Sequence, residues 1–277
     1  MESERSYGAY LVSAVRAALS AGQAIMTVYR SGFSVTMKED KSPLTTADKQ
    51  SHDIIVDTLK PLGLPVLSEE GKEVPYAERR KWELFWMVDP LDGTKEFINR
   101  NGEFTVNIAL IYQGMPVLGV IWIPVTATLY FGMEGLGAFK QDGAGVPSLW
   151  SEDDISSASP LPSQALPDVF TVATSRSHMN SATETYIAGL RQTHHEMTFI
   201  SRGSSLKFCL VAEGLVHEYP RLAPTFEWDT AAGQAIVEQA GGAVLIPGSK
   251  TPLRYNKKNL MNEGFVAFMI LTTSPHI

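Results

Sequence analysis

The sequence predicts an α+β first half built on an antiparallel sheet and an α/β second half built on a mixed sheet, divided between residues 160 and 161. Three observations carry this expectation. The chain opens with apolar residues at helical spacing. Consecutive strand-like runs separated by short turns follow between residues 84 and 133. Beyond a Ser-, Pro- and Asp-rich junction at residues 151–167, strands and helices alternate.

Tyr10, Leu11, Ala14, Val15, Ala18, Leu19, Ile25 and Val28 line one face of the first helix, which ends near Ser31-Gly32. Thr46 or Thr45 caps a second helix over residues 47–59, and Pro61 and Gly63 stop it. The apolar run 65–68 is a strand that delivers Glu69 and Glu70, with Gly71 turning the chain. A buried strand over residues 84–88 is expected to break at Asp89-Pro90-Leu91-Asp92-Gly93, because Pro90 has no N–H for a central ladder. Strands over 105–112, 117–123 and 129–133 are joined by Gly114, Met115, Pro116 and Pro124, which implies antiparallel pairing. The second half reads as a strand over 169–173 and helices near 182–193, 205–213 and 230–240.

Composition narrows the function classes. Of 277 residues, 44% are hydrophobic and 19% charged, which suits a folded globular protein. A formal net charge of −7 argues against an electrostatic grip on a nucleic acid polymer, although a small anion remains compatible with bound cations. Cys209, the single cysteine, sits among Phe208, Leu210 and Val211 and reads as a buried helix position. The first ten residues lack a secretory pattern and no apolar run is expected to span a bilayer, so a cytoplasmic location is expected, with peripheral membrane contact and oligomeric state left open.

Four segments offer the hard oxygen ligands that magnesium requires: Asp48, Glu69, the pair Asp89 and Asp92, and Asp229. Pro90 stiffens the central pair and Gly93 permits a tight bend, so both carboxylates and the Leu91 carbonyl can face one point. Taken alone, that segment reads equally well as a type I turn. Asp229 alone reads as a helix cap, and Glu69-Glu70 as a solvated pair.

Together these segments resemble the lithium-sensitive, magnesium-dependent phosphatase superfamily that includes inositol monophosphatase. The matching pattern is Asp48, Glu69-Glu70, Asp89-Pro90-Leu91-Asp92-Gly93-Thr94 and Trp228-Asp229-Thr230-Ala231-Ala232. Residues 89–97, 101–110 and 203–209 are most similar to its CysQ-type 3′(2′),5′-bisphosphate nucleotidase branch. The stretch Gly71-Lys72-Glu73-Val74-Pro75 departs from that branch, which puts the behaviour of the loop after Glu70 in doubt.

The resemblance implies a layered αβαβα sandwich and two magnesium ions, or three. It implies Glu69, Asp89 and the Leu91 carbonyl on one ion, and Asp89, Asp92 and Asp229 on a second. Asp48 and Thr94 match the pair that orients and deprotonates the attacking water, with Glu69 nearby, and the backbone N–H groups of Gly93 and Thr94 would cradle the phosphate ahead of a helix. Ser175, His178, Gly203 and Lys207 match residues around a nucleotide, Lys207 facing its second phosphate, with Arg221 a further candidate. The implied activity is removal of the 3′-phosphate of adenosine 3′,5′-bisphosphate, clearing a by-product of sulfate assimilation. Two alternatives stand beside it: inositol monophosphate hydrolysis, and a non-catalytic protein binding metal or nucleotide.

Overall fold

The computed structural model describes residues 7–31, 35–37, 43–144, 147–176 and 180–270, and of these the side chains of 35–37, 43, 44 and 148 are not described. The first half runs α1 (Gly8–Arg30), β1 (Val35–Met37), β2 (Pro43–Thr45), α2 (Thr46–Leu59), β3 (Val66–Ser68), α3 (Tyr76–Arg79), β4 (Leu84–Asp92), α4 (Thr94–Ile98), β5 (Thr105–Tyr112), β6 (Met115–Ile123), β7 (Thr128–Met133), β8 (Gly137–Asp142) and β9 (Ser159–Pro160). The second half runs β10 (Phe170–Ser175), α5 (Ser181–Thr193), β11 (Met197–Arg202), α6 (Leu206–Glu213), β12 (Glu218–Arg221), β13 (Thr225–Phe226), α7 (Ala231–Gln239), β14 (Gly242–Leu245), β15 (Met261–Asn262) and β16 (Phe265–Met269).

Strands β3 to β9 form one sheet in chain order, antiparallel throughout except for the parallel β3–β4 pair. A second, five-stranded sheet has the order β11-β10-β12-β16-β14 and is mixed, and β1-β2 and β13-β15 form separate two-stranded pairs. Period-two alternation divides the first sheet's side chains between two cores. Trp86 and Val88 pack with α1 and α2, whereas Phe85 and Met87 face α6, α7 and the second sheet. On β12, Tyr219 points into that second core, and Glu218 on the opposite face meets Tyr186 of α5. The layers are therefore α1/α2, first sheet, α6/α7, second sheet and α5.

Helix α1 buries Leu11, Ala14, Val15, Leu19, Ile25 and Val28 along one stripe. An 18-residue window of this helix has a mean hydropathy of 1.4, enough by length and composition alone for a candidate span, although Arg16 and Gln23 interrupt its apolar run. Its stripe is covered here by α2, β5 and β6. Thr45 proves to be the cap of α2: its hydroxyl accepts from the Ala47 N–H at 3.1 Å, and Asp48 Oδ2 accepts from the Thr45 N–H at 2.8 Å.

Strand β4 corrects one expectation, because it does not end at Pro90. Asp89 pairs with Asn107 and Asp92 with Thr105, so three steps on β4 oppose two on β5. The resulting bulge takes the proline out of the ladder, and the ring's missing donor costs no hydrogen bond. Helix α7 lies unusually close to the first sheet. A Cβ on Gly119 would sit 2.4 Å from the Ala232 carbonyl oxygen, so only glycine fits beneath the start of this helix.

Candidate active site

The bulge, the end of β3 and the start of α7 deliver carboxylates to one cavity of roughly 270 Å³, lined by Glu69, Asp89, Leu91, Asp92, Gly93, Thr94 and Asp229. Hydrogen bonds explain how β4 aims its groups. Ser51 donates to the Pro90 carbonyl at 2.6 Å, and the Leu91 N–H donates to Asp89 Oδ1 at 3.1 Å. The Leu91 carbonyl faces the Thr94 hydroxyl at 3.4 Å. Gly93 then bends the chain with φ 90°, and α4 begins at Thr94. Phe97 of α4 packs on Tyr29 and Phe104, with ring centroids 5.2 Å away in each case, fixing the helix that carries Thr94 to α1.

The expected water-activating pair is in contact: the Thr94 hydroxyl donates to Asp48 Oδ1 at 3.1 Å, while Asp48 Oδ2 is held by Thr45. Asp48 does not itself line the cavity, so it reaches the site through Thr94. Burial raises the Asp48 pKa, and the hydrogen bonds from Thr45 oppose that rise.

Charge is crowded at the centre. Burial first, then the charges of Glu69, Asp92 and Asp229, push Asp89 well above the usual carboxylate range. Asp229 is likewise raised by burial and by Asp92 and Glu69. Asp89 and Glu69 lie close enough to interact directly, and each makes ionisation of the other less favourable. Other oxygens are held by the protein. Asp92 Oδ2 accepts from the Ser204 hydroxyl and the Ser205 N–H, both at 2.7 Å, and from Asn107 at 3.4 Å. Asp229 Oδ2 accepts from the Phe226 N–H at 2.9 Å instead of capping α7. As arranged, no three His, Cys, Asp or Glu side chains among the described residues close around one point. The donor chemistry nevertheless fits a divalent ion. Every donor is a hard oxygen, and a cation would relieve the mutual repulsion.

The lining also carries cations. Lys95, Arg176, Arg202, Lys207 and Arg221 line the same cavity, together with the expected Ser175 and Gly203. Arg221 donates to the Ser175 hydroxyl at 3.2 Å, and its buried Nε has no hydrogen-bond partner. Lys207 departs from a role as a free phosphate ligand. Its ammonium is buried, donates to the Ser204 and Arg202 carbonyls at 2.6 and 3.1 Å and lies over the Tyr219 ring, so it holds the loop around Gly203 in place. His178 lies outside the described residues. Sequence reasoning passed over Arg176 and Arg202, and also Glu103, which ties them together at 3.0 and 3.9 Å. Nothing local distinguishes these three from solvated surface charges.

A model described as "Inositol monophosphatase family" matches residues 9–268. The chain is 45% identical over 252 residues to the 3′(2′),5′-bisphosphate nucleotidase CysQ of Salmonella typhimurium, covering 90% of this chain and 95% of that protein. It is 46% identical over 256 residues to the CysQ nucleotidase of Escherichia coli K12, with the same coverage. Among solved structures it resembles CysQ from Bacteroides thetaiotaomicron, with a TM-score of 0.87 and 48% identity over 95% of this chain and 98% of that one. It also resembles the suppressor protein suhB of Bartonella henselae, with a TM-score of 0.72 and 26% identity over 94% of each chain.

Proposed function

Because this chain belongs to the inositol monophosphatase family, we propose that it is a 3′(2′),5′-bisphosphate nucleotidase. In this reading it hydrolyses the 3′-phosphate of adenosine 3′,5′-bisphosphate to AMP and phosphate, clearing a by-product of sulfate assimilation in the cytoplasm. The observation that carries it is the mixed charge of the cavity. Its lining combines the carboxylate cluster with Lys95, Arg176, Arg202 and Arg221, and those cations suit a substrate with a second anionic group. Arg176 and Arg202 already pair with Glu103, so Lys95 and Arg221 are the cations for which an inositol monophosphate offers no second anionic group. The names of the CysQ relatives support the same substrate.

Glu69, Asp89 and the Leu91 carbonyl would hold one magnesium ion, and Asp89, Asp92 and Asp229 a second. When bound, these ions offset negative charge on the transferring phosphoryl group and lower the pKa of water. Thr94 Oγ donates to Asp48 and so turns its own lone pairs toward the cavity, where they accept a proton from the attacking water. Asp48, its proton affinity raised by burial, is the group that receives the proton. The Gly93 and Thr94 N–H groups face the phosphate, and Ser175, His178 and Gly203 face the nucleotide. The phosphorus–oxygen bond to the ribose breaks in line, and its oxygen leaves with a proton from solvent. The two cooperating units are residues 1–160 and 161–277.

Phosphate release from adenosine 3′,5′-bisphosphate, 3′-AMP and inositol 1-phosphate, with magnesium, lithium and chelator varied, tests this reading. The bisphosphate is expected to have the highest kcat/KM, with activity lost to chelator and inhibited by lithium. Asp92→Asn is expected to lower kcat by about 100-fold or more. Preference for the inositol ester would overturn the assignment.

A further inference from the structure

We propose that Glu103 is a positioning residue for Asp92, acting through the backbone of Gly203, an inference that rests on reading Asp92 as a metal-holding carboxylate. Glu103 lies in the turn between α4 and β5, and its side chain is only 16% exposed. Its two oxygens have separate tasks. Oε2 accepts from the Gly203 N–H at 2.7 Å, and Oε1 accepts from Arg176 at 3.0 Å with Arg202 Nε at 3.9 Å. Gly203 is thereby fixed one residue before Ser204 and two before Ser205, the residues whose hydroxyl and N–H are given to Asp92 Oδ2.

Two further features show that this junction is built tightly. A Cβ on Gly93 would lie 3.0 Å from the Glu103 carbonyl, and a Cβ on Gly203 would lie 2.8 Å from Glu96 Cγ and 3.2 Å from Glu103 Cβ, so the three segments meet where there is room only for glycine. Ser204 has φ 51°, a left-handed conformation that a non-glycine residue holds only when its surroundings impose it. Its hydroxyl is shared between Asp92 and Thr105, both at 2.7 Å, and the Gly203 N–H bond anchors the preceding peptide. Without that anchor, Ser204 relaxes toward ordinary backbone, and the Ser204 hydroxyl and Ser205 N–H turn away from Asp92.

Three variants separate this role from simple pairing with the arginines. Glu103→Gln keeps an acceptor for the Gly203 N–H but loses the charge facing Arg176 and Arg202. Glu103→Asp keeps the charge but withdraws the acceptor by one methylene, and Glu103→Ala removes both. The readouts are Mn²⁺ affinity by calorimetry, hydrogen exchange of the Ser205 amide without metal, and kcat. Partners that orient metal ligands are typically worth about 10- to 100-fold. Glu103→Ala and Glu103→Asp are expected to lose that much Mn²⁺ affinity and to exchange the Ser205 amide faster, while Glu103→Gln stays within about threefold of the parent. Equal losses in the Gln and Ala variants, or unchanged Mn²⁺ affinity and Ser205 exchange in the Ala and Asp variants, would overturn the proposal. Neither the binding nor the exchange measurement uses substrate, so failure to hydrolyse the bisphosphate would sink the substrate reading alone. Should Glu103→Ala not fold, the milder Asp variant decides.

Discussion

Burial raises the proton affinity of several carboxyl groups in this protein, and the partners of each determine the consequence. Asp48 combines two tasks: Oδ2 closes the capping box of α2 while Oδ1 accepts from Thr94, so the helix start and the proposed water-activating pair share one side chain. Glu218 has no part in the cluster and gives a cleaner test. It is buried on the outer face of β12, its pKa is raised by burial, and the Tyr186 hydroxyl opposes that rise. A raised folded-state value means that the native protein holds the proton more tightly than the unfolded chain. The stabilising contribution is full at acid pH and is lost as pH climbs through the folded-state value. Glu218→Gln preserves an acceptor for Tyr186 and removes the ionisation. Its melting temperature is therefore expected to gain on the parent as pH rises from about 4 to 7. A constant offset across that window would show that Glu218 ionises in the native protein as freely as in the unfolded chain.

At the scale of elements, the position of Asp229 depends on how closely α7 approaches β6. Gly119 lies under Ala232 and Ala235 near the start of the helix, with no space for a Cβ. Gly119→Ala is expected to lift that end and cost about 1–3 kcal/mol, seen as a lower denaturation midpoint. Activity should fall further than stability alone explains, because Asp229 sits at the same end. The sequence showed α7 through its apolar spacing, yet the glycine that seats it lies more than a hundred residues away. The bulge in β4 was hidden for a different reason. Pro90 forbids a regular ladder, and sequence alone does not reveal whether the chain turns away or bulges and continues. Strand β8 was missed because Lys140, Gln141 and Asp142 dilute its apolar signal.

At the scale of the whole molecule, the carboxylates that line the cavity were legible because each sits in a short, chemically distinctive segment. Their consequence comes only from assembly. Glu69 leaves β3, Asp89 and Asp92 ride on the bulge of β4, and Asp229 precedes a helix sandwiched between the sheets. Glu103, Arg176 and Arg202 were not legible, since each resembles an ordinary surface charge until the halves meet. Burying these carboxylates and bringing their like charges together from separate elements opposes folding, and burial first, then repulsion, pushes the pKa values of Asp89 and Asp229 up. A divalent cation that binds only the assembled cluster must therefore stabilise the whole fold. Magnesium at about 100 times its dissociation constant is expected to add roughly 2.7 kcal/mol, read as a concentration-dependent rise in melting temperature. Sodium chloride matched for ionic strength should produce little of that rise, because buried charges are poorly screened. Asp229→Asn removes one repelling charge and one ligand together, so it should melt higher than the parent without magnesium and gain less when magnesium is added. A parent protein whose melting temperature ignores magnesium would mean that the cluster does not hold the ion, and an Asp229→Asn variant that gains as much as the parent would mean that Asp229 is not one of its ligands.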